Sequence, residues 1–174
     1  MSTQLATATA LWFPAYVALG SNLDRPVDQV ERAFAALASL PQSRLVARSG
    51  LYRTQPLGPQ DQPEFINAAA GLLTQLAPLE LLHELKALEQ AMGRGKPIVR
   101  WGPRVIDFDL SVFGSQRIDT EALTVPHPGV PVRNFVLYPL LDIAPELEVP
   151  GHGRIRELAA RVSAQGLTAL ASTK

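Results

Sequence analysis

From Ile106 to Val112 the chain alternates strictly: Ile106, Phe108, Leu110 and Val112 are apolar, and Asp107, Asp109 and Ser111 between them are polar. A period of two places the first set on one face of a β-strand and the second on the other. A chain that contains such a strand has to build a sheet with a covered face and a polar face. The polar face also needs a reason to carry two carboxylates, because aspartate is a poor strand residue and an ionised group resists burial without a partner.

The other elements follow from similar patterns. Ala15 to Leu19 is a short apolar run closed by Gly20-Ser21-Asn22, which predicts a buried strand and a turn. Asp24 and Pro26 signal a helix start, with Val27, Val30, Phe34 and Leu37 at helical spacing and Pro41 as its stop. Ser43 to Tyr52 and Phe65 to Thr74 predict two further strands, separated by the proline-rich stretch TQPLGPQDQP, an exposed loop suited to act as a flap. Pro78 to Met92 predicts a helix with Leu81, Leu85, Leu88 and Met92 on one face and Gly93 at its end. After the aspartate strand, Gly114-Ser115 turns the chain back toward Gln116 to Ile118. PHPGVP (126–131) is a loop, and Asn134 to Asp142 and Arg156 to Gln165 are predicted helices. The order strand-helix-strand-strand-helix-strand is that of a ferredoxin-like α+β sandwich, and helix–strand alternation alone also allows a doubly wound α/β fold.

Length and charge limit what such a fold can do. At 174 residues the chain has the size of one domain with one core. A formal net charge of +0 supplies no global field for nucleic acid or a membrane surface, so any anion has to be bound locally. The absence of cysteine removes disulfides, a thiol nucleophile and thiolate metal sites, and fits a reducing cytoplasm. The opening residues lack the basic start of a secretory signal, and Pro14 breaks their apolar run before it could span a bilayer. Residues 1–14 are expected to form a flexible extension, from which Leu11, Trp12 and Phe13 can still pack on the body, and residues 15–174 a single domain.

The chemistry concentrates around the aspartates. Side chains two apart on a strand point the same way with Cα atoms about 7 Å apart, so the carboxylates of Asp107 and Asp109 can converge on one site. Oxygen ligands with no neighbouring His or Cys favour magnesium or manganese, and magnesium takes one or two carboxylates together with substrate phosphates. A solvated strand face paired with arginines accounts for the aspartates equally well. The preceding window RGKPIVRWGPR carries Arg94, Lys96, Arg100 and Arg104 without an acidic residue, and favours a metal-bound polyphosphate. Arg133 is a further candidate donor. GRGK is not a phosphate loop, because its spacing is wrong and Pro97 follows Lys96. Among the histidines, His83 reads as a surface residue on its helix and His152 as part of a turn, whereas His127, between two prolines, is a candidate phosphate contact or a structural residue. Asn67 is a candidate amide for a planar heterocycle or a sheet-edge residue, and Phe65 and Phe135 are stacking partners or core.

Five ordered motifs, ALGSNL, LYRTQPLGPQDQPEFINA, GR at the end of the second helix, WGPRVIDFD and LTVPHPGVPVRNFVLYPL, span roughly residues 16–151. In them the chain resembles the 6-hydroxymethyl-7,8-dihydropterin pyrophosphokinase family of folate biosynthesis. The resemblance implies a three-layer ferredoxin-like fold with a central, mainly antiparallel sheet, a monomer with two magnesium ions, and ATP as co-substrate. It implies transfer of pyrophosphate from ATP to the pterin hydroxymethyl group, with release of AMP. By motif, Asp107 and Asp109 are metal ligands, and Arg94 and Arg104 are catalytic arginines acting on phosphates. Glu89, Arg94, Lys96, Leu110, Thr124, His127 and Arg133 fall on the ATP side. Thr54, Leu57, Gly58, Phe65, Asn67, Trp101 and Phe135 fall on the pterin side. Phe65 stands where tyrosine is frequent, Pro128 where an aromatic is often found, and Lys96-Pro97 replaces a more basic pair. Asp109, or a metal-lowered hydroxyl pKa, is the candidate means of removing the hydroxymethyl proton. Closure of the flap and the arginine loop is expected to exclude water. A D-x-D glycosyltransferase, a metal-dependent phosphohydrolase and a binding module whose aspartates only pair with arginines are the alternatives that the aspartates by themselves allow.

Overall fold

Helices cover both faces of a six-stranded sheet whose paired strands all run antiparallel, as described by a computed structural model for residues 9–93 and 100–172. Arg94, Lys96 and most of the expected arginine loop lie outside the described residues. The first strand, β1 (Phe13–Ser21), takes the centre. It pairs along its whole length with β4 (Phe65–Thr74) on one side and with β5 (Asp107–Phe113) on the other. Beyond β4 lie β2 (Ser43–Arg48) and β3 (Tyr52–Thr54), and β10 (Leu167–Ala169) pairs with the outer edge of β3. Two short hairpins, β6 (Ile118–Asp119) with β7 (Thr124–Val125) and β8 (Glu148–Val149) with β9 (Gly153–Arg154), stand apart from the sheet.

The helices sort by face. Both α1 (Pro26–Ala38) and α2 (Pro78–Ala91) begin on a proline, whose missing N–H costs nothing in a first turn. Val30, Phe34 and Leu37 of α1 and Leu81 and Leu85 of α2 are fully buried against Val17, Leu19, Leu72 and Phe108 of the sheet. Burial of a side chain as large as Phe34 or Phe108 stabilises the fold by about 2–3 kcal/mol. The opposite face is covered by α3 (Asn134–Ile143) and α4 (Ile155–Arg161), with Leu137, Leu140, Val149 and Ile155 packed against Ala69 and Val112. The run Ala68-Ala69-Ala70-Gly71 in β4 is buried on both faces, and its small side chains let the two helical layers close on one strand.

Five details depart from expectation. β1 starts at Phe13, so Phe13 and Pro14 belong to the sheet. The strand expected over Ser43 to Tyr52 is two strands: the chain breaks at Ser49-Gly50, where Ser49 Oγ accepts the Ala69 N–H at 2.8 Å in place of a regular ladder. Asp24 does not cap α1. Asp24 and Arg25 both adopt left-handed backbone angles (φ 53° and 62°), and the Asp24 carbonyl accepts a bond from Gln29 Nε2 at 3.0 Å. The alternation from Ile106 to Val112 fails at its end, because a bulge opposite Tyr16 and Val17 sends Val112 to the α3 face and Phe113 to the α1 face. Finally, α4 is Ile155–Arg161, ending four residues before the expected Gln165, and the chain then forms β10, a three-residue edge strand too short to carry a pattern.

Candidate active site

Because β4 and β5 are both antiparallel to β1, each enters the sheet beside the C-terminal end of β1: Ser21 lies opposite Ile66, and Gly20 lies opposite both Asn67 and Asp107. The flap leads into β4 and the segment through Trp101 and Arg104 leads into β5, so the topology brings both loops to one end of the sheet. Ala18, Gly20, Asn67, Asp107 and Asp109 alternate with residues of the α1–α2 core. They therefore face the α3 side, where they floor a cleft of about 520 Å3.

Two surroundings meet in this cleft. On the flap side Thr54, Leu57, Phe65, Asn67, Trp101 and Phe135 line it. Asn67 and Thr54 are buried, and Asn67 Nδ2 donates to Thr54 Oγ1 at 2.7 Å. Leu57 and Trp101 are exposed at the mouth. Trp101 sits at φ 58°, a left-handed conformation strained for a bulky residue, with the Arg100 guanidinium 4.4 Å from its ring centre. Gly58 does not itself line the cleft but backs Trp101: a Cβ there would stand 2.7 Å from Trp101 Cβ and 2.9 Å from its carbonyl oxygen.

On the β5 side the cleft is ionic. Arg104 Nη1 donates to Asp107 Oδ2 at 3.0 Å. Burial, reinforced by the neighbouring Asp107 charge and opposed by Lys86, pushes the Asp109 carboxyl up from 3.8 to about 7. Two carboxylates on one strand face therefore resist joint ionisation unless a cation joins them. The donor set, two hard carboxylates open to a cleft and ringed by Lys86, Arg104 and Arg133, suits a hydrated magnesium ion that also binds phosphate. His127 is held by its own loop: its Nδ1 accepts the Gly129 N–H at 2.9 Å, and its backbone N–H donates to Ser111 O at 2.9 Å. Burial, then the Arg133 charge, lowers its pKa below 6.5, so at neutral pH the ring is uncharged and its remaining proton is on Nε2. Arg133 lies across Gly129, where any Cβ would come within 2.8 Å of Arg133 Cδ, and its guanidinium is 6.0 Å from the Phe135 ring centre.

A second cavity of about 320 Å3 adjoins the first and shares Lys86, Asp109, His127 and Pro128 with it. Leu82, Leu110 and Thr124 lie in its wall. Glu89 lines neither cavity. Buried under β5, its Oε1 accepts the Phe108 N–H at 2.8 Å and a bond from Lys86 Nζ at 3.2 Å, which fixes the strand between the two aspartates. Lys86 is absent from the sequence-derived set because it lies on a helix face that reads as solvated. Its spacing of three from Glu89 was the available signal. Asn22 and Gln62 also went unnoticed, since an amide in a turn carries no pattern of its own.

A ferredoxin-like sheet whose central strands end beneath paired carboxylates, cations and an aromatic pocket is the architecture of a transferase for phosphate-bearing groups. The chain belongs to the 7,8-dihydro-6-hydroxymethylpterin-pyrophosphokinase (HPPK) family, whose sequence pattern residues 16–145 match. It is 49% identical over 155 residues to the 2-amino-4-hydroxy-6-hydroxymethyldihydropteridine pyrophosphokinase of Pseudomonas aeruginosa, covering 89% of this chain and 95% of that protein. The enzyme of the same name from Haemophilus influenzae is 45% identical over 144 residues, covering 83% of this chain and 89% of that protein. The fold is shared with Plasmodium falciparum HPPK-DHPS, solved with pteroate, at a TM-score of 0.68 and 15% identity. That match covers 88% of this chain but only 43% of the other.

Proposed function

We propose that the chain transfers the pyrophosphoryl group of ATP to the hydroxymethyl oxygen of 6-hydroxymethyl-7,8-dihydropterin, giving AMP and the pterin diphosphate in folate biosynthesis. The observation that carries this reading is the joining, in one cleft, of a flat aromatic and amide pocket to a pair of carboxylates ringed by cations. A pterin presents two apolar ring faces and a polar edge. Phe65, Phe135 and Trp101 supply surfaces for the faces, and the Thr54–Asn67 pair supplies polar groups for the edge.

Asp107 and Asp109 are proposed to hold magnesium, two ions in all, which when bound supply neutralisation of polyphosphate charge. The chain's own groups do the rest. Arg104 and Arg133 present guanidinium groups, and neutral His127 presents an Nε2 proton, to phosphate oxygens along the cleft. Leu110 and Thr124 wall the second cavity, which offers room for the nucleoside end of ATP. Arg94 and Lys96 keep their proposed phosphate roles from the motif alone. Glu89 is assigned to holding β5 in place. No nucleophilic side chain is required, because phosphoryl transfer depends on positioning and charge neutralisation. The protein is proposed to act as a cytoplasmic monomer on small molecules. Among the described residues no helix is long and apolar enough to cross a membrane.

Phosphorus NMR of the purified protein with ATP, magnesium and 6-hydroxymethyl-7,8-dihydropterin tests the proposal. AMP and a pterin diphosphate are expected to form together, and neither without magnesium or without pterin. Formation of ADP or free phosphate would overturn the pterin assignment.

A further inference from the structure

We infer that Asn22, immediately beyond β1, is a positioning residue that couples the pterin half of the cleft to the phosphate half. The inference rests on the proposed function for the identity of the two ligands. Its basis is one buried amide, 2% exposed, that bonds to both loops at once. Asn22 Nδ2 donates to Gln62 Oε1 at 3.0 Å and to the Pro63 carbonyl at 2.9 Å, at the end of the flap. Its Oδ1 accepts the Arg104 N–H at 2.9 Å, and its own N–H donates to the Arg104 carbonyl at 3.1 Å. Gln62 completes the bridge, its Nε2 donating to the Trp101 carbonyl at 2.9 Å.

Arg104 in turn holds Asp107 through its side chain. A continuous set of bonds therefore runs from the flap over the pterin pocket, through Asn22, to a carboxylate on the phosphate side. The sheet topology explains why this position is the one used: the end of β1 is flanked by the start of β4, reached from the flap, and the start of β5, reached from Arg104. A residue there lies between the two loops and can bond to both. Both polar atoms of the Asn22 side chain are engaged, one by the flap and one by the Arg104 backbone, so a shift of the flap strains the bond to Arg104. A ligand that orders one loop orders part of the other, which is the physical content of coupling between sites.

The variant Asn22→Asp keeps the volume and the bond from the Arg104 N–H, and turns the donor facing Gln62 and Pro63 into an acceptor. Gln62→Ala removes the bridge at a partly exposed position, where folding is not at stake. Isothermal titration calorimetry on the full chain would measure pterin affinity with and without magnesium and α,β-methylene ATP, an analogue that cannot release pyrophosphate. In the wild type the analogue is expected to tighten pterin binding. In Asn22→Asp that tightening falls by about tenfold, and in Gln62→Ala by several-fold, while each ligand alone binds within about twofold of its wild-type affinity. A merely structural Asn22 would weaken each ligand alone and leave the ratio intact. The inference is overturned if the wild type shows no tightening, or if Gln62→Ala and a folded Asn22→Asp both keep the wild-type ratio. If the wild type binds neither ligand, it is the functional proposal that fails.

Discussion

Asp109→Asn should alter the pH dependence of stability in a calculable way. The carboxyl titrates near 7 in the folded protein and at 3.8 when exposed, so the folded state holds the proton more tightly. Stability contributed by that proton is fully present below 3.8, declines as pH rises, and is gone above about 7. Between pH 5 and pH 8 the group crosses about two units of that window, which corresponds to about 3 kcal/mol. Asp109 is part-exposed at the cleft wall, solvent screening reduces the effect, and roughly 1–2 kcal/mol is the expected change. Asparagine cannot ionise, so the variant loses none of it. His127 titrates in both proteins and contributes to both curves. Thermal unfolding in the presence of chelator, at pH 5 and at pH 8, would read the effect. The Tm of the variant minus that of the wild type should rise by about 3–6 °C from the lower to the higher pH. Parallel curves would refute the claim that burial and Asp107 together resist the second charge. Magnesium added at pH 8 should raise the wild-type Tm and leave the variant nearly unchanged.

Three further outcomes are expected. Gly58→Ala forces a Cβ into Trp101, and steady-state kinetics should show the pterin KM raised about tenfold with the ATP KM little changed. Lys86→Gln removes the cation shared by both cavities. Nucleotide affinity at low salt should drop by about tenfold in a fluorescence titration, and the drop should shrink as salt rises. Ending the chain at Gln165 deletes β10, which pairs with β3, and with it the flanking bond from the Leu170 N–H to Leu51 O at 2.8 Å. Denaturant unfolding should reveal a loss of about 2–3 kcal/mol, and a fully retained stability would show that this edge strand contributes nothing.

The aspartate strand was legible because its alternation is long and its polar residues are unusual in a sheet. That one element located the floor of the cleft. The first two helices were legible for the same reason, each having four apolar residues in phase. What escaped was set by partners distant in sequence. The bulge that turns Val112 over is fixed by Tyr16 and Val17 of β1, and no local pattern announces it. The break at Ser49-Gly50 is held by Ala69, and β10 exists only because β3 offers an edge. Among the candidate site residues, motifs supplied Asp107, Asp109, His127 and Arg133, whereas Lys86 and the role of Asn22 emerged only when helix and loops were seen in place. Glu89 was expected on the ATP side, but it lines neither cavity, and its Oε1 turns to the Phe108 N–H beneath β5.

The directions of the first and last strands have one more consequence. β1 begins at Phe13, opposite Thr74, at the far end of the sheet from the cleft, and β10 runs away from Thr54 toward Tyr52. The chain therefore enters β1 at the end of the sheet remote from the cleft, while β10, though it runs toward that same end, ends level with the cleft residue Asn67 through Tyr52, so the entry into the sheet and the exit from it lie at different distances from the flap.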